Sequence, residues 1–417
     1  MKKKTMVKLL AMILGCMLFT ACSSSQAPAA TQSASFDAAA SQASQEASGA
    51  EAASSVPAEA ASEAASEAAS EAAESDIPDG IEIDEASKTI LIPAVATGYN
   101  AESSIHYLAF VNGSNAEKAY FTTQVTTLEV YNALVALGAV PGNNIALDDA
   151  DGTVMGTPID ITIQADGQEY GVYDLVEASE VRDAAPRFGG NIELNTEFAT
   201  GCIFCTESCS LGIISDSAYQ YQEPVTFTAS AGMPAAGTEV VFRLNVGDDP
   251  IVVNPDRKTI QLNAVATGYD AESTIHAIVN KDGSNAGAAF FLTDVDTQTM
   301  YDALKEIGGE DGNNIAVEDD GGIIEGSAYD VMVQIGDTHI PFNDLIEAGE
   351  ARDMDMRFGG NLENNLNFGT GCVMCMQSCP AGIMSNAAYE YKEEMTFLPA
   401  TSMPAAGTHV IVTFTAK

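Results

Sequence analysis

The strongest constraint on this chain is that it repeats itself. Displaced by 170 positions, its second part falls onto its first without a gap: AVATGY at 94–99 returns at 264–269, and RFGGN at 187–191 returns at 357–361. GNNIA at 142 and 312, and MPAAGT at 233 and 403, keep the same offset. About 75 of roughly 167 paired positions are identical, a level that duplication produces and chance does not. Residues 79–248 and 249–417 are therefore two copies of one domain, and chemistry carried by one should be carried by the other.

Each copy opens with β-rich runs at 89–95, 105–111 and 119–125. Thr126 and Thr127 then offer N-caps to a helix over 128–137, where Val130, Leu134 and Leu137 recur at helical spacing, and Gly138 with Pro141-Gly142 ends it. An alternating strand at 159–163, a turn at Asp166-Gly167, a short helix or turn at 174–181 and strands at 225–228 and 239–244 complete the unit. The pattern predicts an α+β class: two tandem copies of a mostly antiparallel sheet domain with one main helix each.

Ahead of the pair, residues 1–21 read as a signal peptide, with Lys2, Lys3, Lys4 and Lys8 before an apolar stretch too short to span a bilayer as a mature helix. Phe19-Thr20-Ala21-Cys22 resembles a lipobox, which predicts a lipid on Cys22 and a protein tethered to the outer, extracytoplasmic face of a cell membrane. Residues 22–78 are an Ala, Ser and Glu tract. Its Glu59, Glu63, Glu67 and Glu71 repel one another at i, i+4 on any helix, so a flexible spacer is expected. The formal charge is −42, and about −46 once the signal lysines leave. Such a surface excludes nucleic acid and anionic lipid as electrostatic partners and favours cationic partners or small molecules.

Beyond Cys16 and Cys22, six cysteines remain, three per copy and each set spaced C-x2-C-x3-C: Cys202, Cys205, Cys209 and Cys372, Cys375, Cys379. Three thiols within eight residues point past packing to chemistry. Three chemistries fit. Thiolates at short spacing wrap an iron–sulfur cluster, and Cys379-Pro380 resembles the tail of the bacterial ferredoxin run, although that run has four cysteines. The order is the reverse of the C-x3-C-x2-C of radical enzymes. Zinc or copper on the thiolates is the second chemistry. A disulfide is the third, and it leaves one cysteine over in each copy. Of the four histidines only His106 and His276 are equivalent, so each set can be completed as Cys3His; His339 and His409 align with Glu169 and Glu239. The signal lacks the twin arginines of the folded-export route, so a cluster would have to be assembled after export.

At this point the copies resemble the YdjY-type domain, an exported bacterial family described as ferredoxin-like. The resemblance rests on Ile105-His106, on LEVYNALVALGAVPG from 128, on ITIQADGQEYGVYDLVEA from 161, and on the cysteine segment from Gly201 to Ile213. It spans nearly all of each copy and implies an extracytoplasmic redox or cofactor-binding module. Arg182, Arg187, Arg352 and Arg357 are four of the six arginines and precede the cysteines in both copies, as candidates to neutralise an anionic cofactor or bind a carboxylate or phosphate. Asp148, Asp149 and Asp151, with Glu318, Asp319 and Asp320, lack EF-hand spacing and read as solvated turns. No phosphate loop, metalloprotease helix or serine elbow occurs. The expected function is a lipid-anchored electron carrier with two iron–sulfur centres, receiving electrons from an unknown redox partner. The alternative is a binding lipoprotein braced by zinc or disulfides, and neither reading makes the chain a stand-alone enzyme.

Overall fold

The computed structural model describes residues 80–417 except 101–102 and 272–273. The signal, tether and Cys22 expectations lie outside the described residues. The first copy runs β1 (Glu82–Asp84), β2 (Thr89–Ala96), β3 (His106–Phe110), β4 (Phe121–Thr123), α1 (Thr127–Ala136), β5 (Ile159–Ala165), β6 (Gln168–Gly171), α2 (Val172–Leu175), β7 (Val176–Ala178), β8 (Pro186–Phe188), α3 (Ile192–Glu197), β9 (Cys202–Cys205), β10 (Ile214–Asp216), β11 (Phe227–Ala229) and β12 (Glu239–Val246). The predicted helix starts where its cap requires. Thr126 accepts the Glu129 N–H at 3.2 Å while the Glu129 carboxylate accepts the Thr126 N–H at 2.7 Å, a reciprocal capping box. Asp166 and Gly167 both hold positive φ and close the β5–β6 hairpin.

The main sheet is ordered β6-β5-β12-β2-β4-β3-β9-β10-β8. All neighbours are antiparallel except β3 with β4 and β9 with β10. In the second copy Met356–Phe358 pairs back onto Ala328–Ile335, and His409–Ala416 pairs with both Ala328–Ile335 and Thr259–Ala266, so the sheet closes on itself as a barrel. In the first copy a single bridge between Pro158 and Arg187 makes the same closure. Closure encloses Tyr107, with the rings of Phe121, Phe204 and Phe242 lying 5.1–6.0 Å from its own. The domain is thus sheet-rich with few helices, and α+β overstates the helical part. α2 is four residues long and runs straight into β7, which pairs with β11 outside the barrel, and α3 is six residues long and ends at its C-cap Phe198, four residues before β9.

The two copies pack asymmetrically. The strand Thr259–Ala266 of the second copy lies under the C-terminal end of α1, where the Asn263 amide donates to the Val135 and Ala139 carbonyls at 3.0 and 3.3 Å. Ile411 joins the first copy's hydrophobic core, and His339 meets Glu193 at 3.1 Å across the junction. The sequences record this. Leu128 and Val135 of α1 are replaced by the exposed Gln298 and Lys305 on the second copy's helix, Thr297–Glu306. Asn263→Ala should leave the Ala139 carbonyl without its amide donor and the Val135 carbonyl with backbone donors only, the Gly138 N–H among them, and cost about 1–3 kcal/mol, measured by urea unfolding. Gln298→Ala, on the equivalent uncovered face, should leave the midpoint unchanged.

Candidate metal centre

In a regular strand, residues three apart point to opposite faces, so Cys202 and Cys205 on β9 should not share a site. The β3–β9 ladder resolves this with two register shifts: His106 faces Cys205, Leu108 faces Phe204 and Ala109 faces Cys202. Such bulges re-aim side chains, and here they turn both sulfurs toward His106. The second copy repeats the device, with His276 facing Cys375 and Val279 facing Cys372. The start of β9 is fixed by a close backbone crossing: a Cβ on Gly201 would stand 2.6 Å from Gly113 Cα, so only glycine fits.

The third cysteine lies in the loop after β9, and buried asparagines hold that loop. Asn191 donates to the Cys209 carbonyl at 3.1 Å, and Asn195 donates to the Cys202 and Leu211 carbonyls at 3.0 and 2.6 Å. Asn361 and Asn365 do the same in the second copy. All six cysteines are buried and no disulfide joins them. His106 Nδ1 lies 3.3 Å from Cys202 Sγ, and the His106, Cys202 and Cys205 donor atoms all lie within 4.8 Å of one another. His276, Cys372 and Cys375 match them, with Nδ1 to Sγ at 3.4 Å.

The electrostatics suit a cation. The Cys202 thiol is drawn down to about 5, first by a hydrogen bond from the Cys205 thiol and then by His106 and the Asn115 amide, against the cost of burial. Cys372 is likewise drawn down to about 5 by Cys375, His276 and Asn285. Cys205 and Cys375 are pushed up, because each shares its proton with the two flanking cysteines. Room for the sulfur is kept by a glycine. A Cβ on Gly212 would stand 2.7 Å from Ser215 Oγ and 3.1 Å from Cys205 Sγ, and one on Gly382 would stand 2.8 Å from Cys375 Sγ. A soft donor set, a prepared thiolate and this cradle together fit a thiophilic metal ion.

Other sequence candidates fall elsewhere. Arg182 is committed to Glu180, Glu223 and the Ala218 carbonyl and lies over the Tyr219 ring; Arg352 repeats these contacts with Glu350, Glu393, Ala388 and Tyr389. Arg187 and Arg357 donate to the Gly156 and Gly326 carbonyls. Each guanidinium thus contacts carbonyls, carboxylates or a ring rather than a sulfur. His409 contacts Asn263, and Asp149 and Asp319 accept backbone N–H groups of their own turns. Sequence reasoning missed Asn115, Asn285, Ser215 and Ser385, whose signal was identity at the 170-residue offset. It also missed Glu207, buried beside the first centre, where the second copy has Gln377.

Comparison with known proteins agrees with the duplication. The YdjY domain family model matches residues 81–245 and again 251–415. The uncharacterized protein YdjY of Escherichia coli (strain K12) is 35% identical over 175 residues, which span 40% of this chain and 78% of that relative. No solved structure matches the chain.

Burial lifts the Glu207 carboxyl to about 7. A raised carboxyl favours the fold below its unfolded value, and that contribution is lost as pH rises through the folded one. Glu207→Gln should therefore stabilise the metal-free chain by on the order of 2 kcal/mol above about pH 8 and not at all near pH 4. Urea titrations at the two pH values check this, and an equal effect at both would refute it.

Proposed function

The chain belongs to the YdjY domain family, and on that footing we propose that each of its two domains is a metal-binding module holding one thiophilic ion. The ligands are His106, Cys202, Cys205 and Cys209 in the first domain and His276, Cys372, Cys375 and Cys379 in the second. The observation that carries this reading is the tight Nδ1–Sγ spacing of 3.3 and 3.4 Å. A single tetrahedral zinc sets its sulfur and nitrogen donors about 3.6 Å apart. A four-iron cubane gives each terminal ligand its own iron and spreads the donors further. Four protein donors in a buried pocket leave no open coordination position, so the centre serves structure or outer-sphere electron transfer rather than catalysis at the ion.

The second reading keeps the iron–sulfur cluster and electron transfer between two centres on one tether. The C-x2-C-x3-C-Pro run at Cys372 to Pro380 favours it. Purifying the full chain anaerobically in detergent and assaying metal and acid-labile sulfide separates the two. The expected result is about two ions per chain and no sulfide, with Cys202→Ala and Cys372→Ala each removing one ion. About eight irons with matching sulfide would replace the single ion by a cluster, and a metal-free product would overturn both readings.

We also propose that Cys22 carries lipid and holds the domains on the outer face of the cell membrane, on the strength of the sequence ending in Phe19-Thr20-Ala21-Cys22. The partner is then a cationic redox protein or a small molecule reached from the spacer, and nucleic acid is excluded by charge. Cys22→Ser should move the protein from the membrane fraction to the soluble exported fraction; unchanged membrane retention would refute the lipid.

A further inference from the structure

One row of side chains crosses four strands of the first barrel in continuous register. His106 on β3 faces Cys205 on β9, Cys205 faces Ser215 on β10, and Ser215 faces Arg187 on β8. The second barrel repeats the row as His276, Cys375, Ser385 and Arg357. Registered partners on neighbouring strands project to the same side of a sheet, so the serine hydroxyl stands beside the central thiol. Gly212 confirms the approach, since a Cβ built on it would touch both Ser215 Oγ and Cys205 Sγ.

Ser215 and Ser385 are fully buried, and neither hydroxyl has a hydrogen-bond partner. A buried hydroxyl left unpaired counts against the fold. The same orphan at equivalent positions of two copies therefore asks what it is kept for. The other sulfurs supply the answer. Cys202 receives the Asn115 amide at 3.3 Å and Cys372 the Asn285 amide at 3.2 Å. Cys209 receives the Leu211 N–H at 3.4 Å and Cys379 the Ala381 N–H at 3.4 Å. Each outer sulfur thus has a donor from outside the ligand set, whereas among the described residues no amide or backbone N–H reaches the central sulfurs of Cys205 and Cys375.

Resting on the metal-binding reading above, we propose that Ser215 and Ser385 are positioning residues whose hydroxyls donate to the thiolates of Cys205 and Cys375 once these bind an ion. Ion binding expels the central thiol proton to solvent and turns that sulfur from donor to acceptor. The hydroxyl rotor beside it then gains the partner it lacks, and none of the three thiolates is left without a protein donor. Outer-shell bonds of this kind orient ligands and tune a centre, and losing one costs about 10–100-fold in metal affinity.

The test is anaerobic titration of the detergent-solubilised full chain with cobalt(II), read by the thiolate-to-cobalt charge-transfer absorption, beside the melting temperature of the metal-free protein. Wild type should take up two ions; if it takes up none, the metal-binding reading itself fails, before any variant is made. Given two ions, Ser215→Ala should weaken one site about 10–100-fold, shift half of the charge-transfer band to lower energy, and leave metal-free melting unchanged or raised. Ser385→Ala should do the same at the other site, and it carries the test if Ser215→Ala does not fold. Unchanged affinity and band would overturn the proposal. So would a fall in metal-free melting that accounts for the whole effect, or failure of both variants to fold, since each would make the serines packing residues.

Discussion

Everything chemical in this protein depends on the pairing of β3 with β9. An ordinary ladder between those strands would send Cys202 and Cys205 to opposite faces of the sheet. Two register shifts within a few residues put both on the side of His106. The glycine crossing at Gly113 and Gly201 fixes one end of the pair, and the asparagines of α3 fix the loop that follows. The His106, Cys202 and Cys205 donors are therefore brought together by backbone geometry alone.

Much of this was legible in the sequence. The offset of 170 residues gave the architecture of two equal domains, and the clustered cysteines with one equivalent histidine pointed to the groups His106, Cys202, Cys205 and His276, Cys372, Cys375. The helix over α1 could be read because its cap and its apolar spacing agree. Other parts could not be read, for identifiable reasons. Barrel closure is a pairing of strands distant in sequence, and in the first copy it rests on the single bridge from Pro158 to Arg187, which no periodicity announces. The bulges opposite Leu108 lie in a run that looks like any buried strand. The arginines stood out by rarity and position, but rarity reports only that something holds them. Arg182 and Arg352 are held by carboxylates and an aromatic face.

The two centres are the same in their donors and different in their surroundings. Glu207 beside the first becomes Gln377 beside the second, and Asp216, which accepts the Tyr173 hydroxyl at 2.7 Å, becomes Asn386. At Asn386 the amide nitrogen is left buried without a partner, because the tyrosine has become Asn343. The two groups thus keep the same donors while the acids Glu207 and Asp216 of the first copy stand as the amides Gln377 and Asn386 in the second.

The asymmetric packing of the copies has a consequence for growth. A head-to-tail contact between identical units has no intrinsic stopping point, since each added unit offers the next the surface it used itself. Here the first helix presents Leu128 and Val135 to a neighbour, while the second presents Gln298 and Lys305 to water. The exposed polar pair makes the second helix a poor seat for another such strand, so the contact that joins these two copies belongs to the first helix alone.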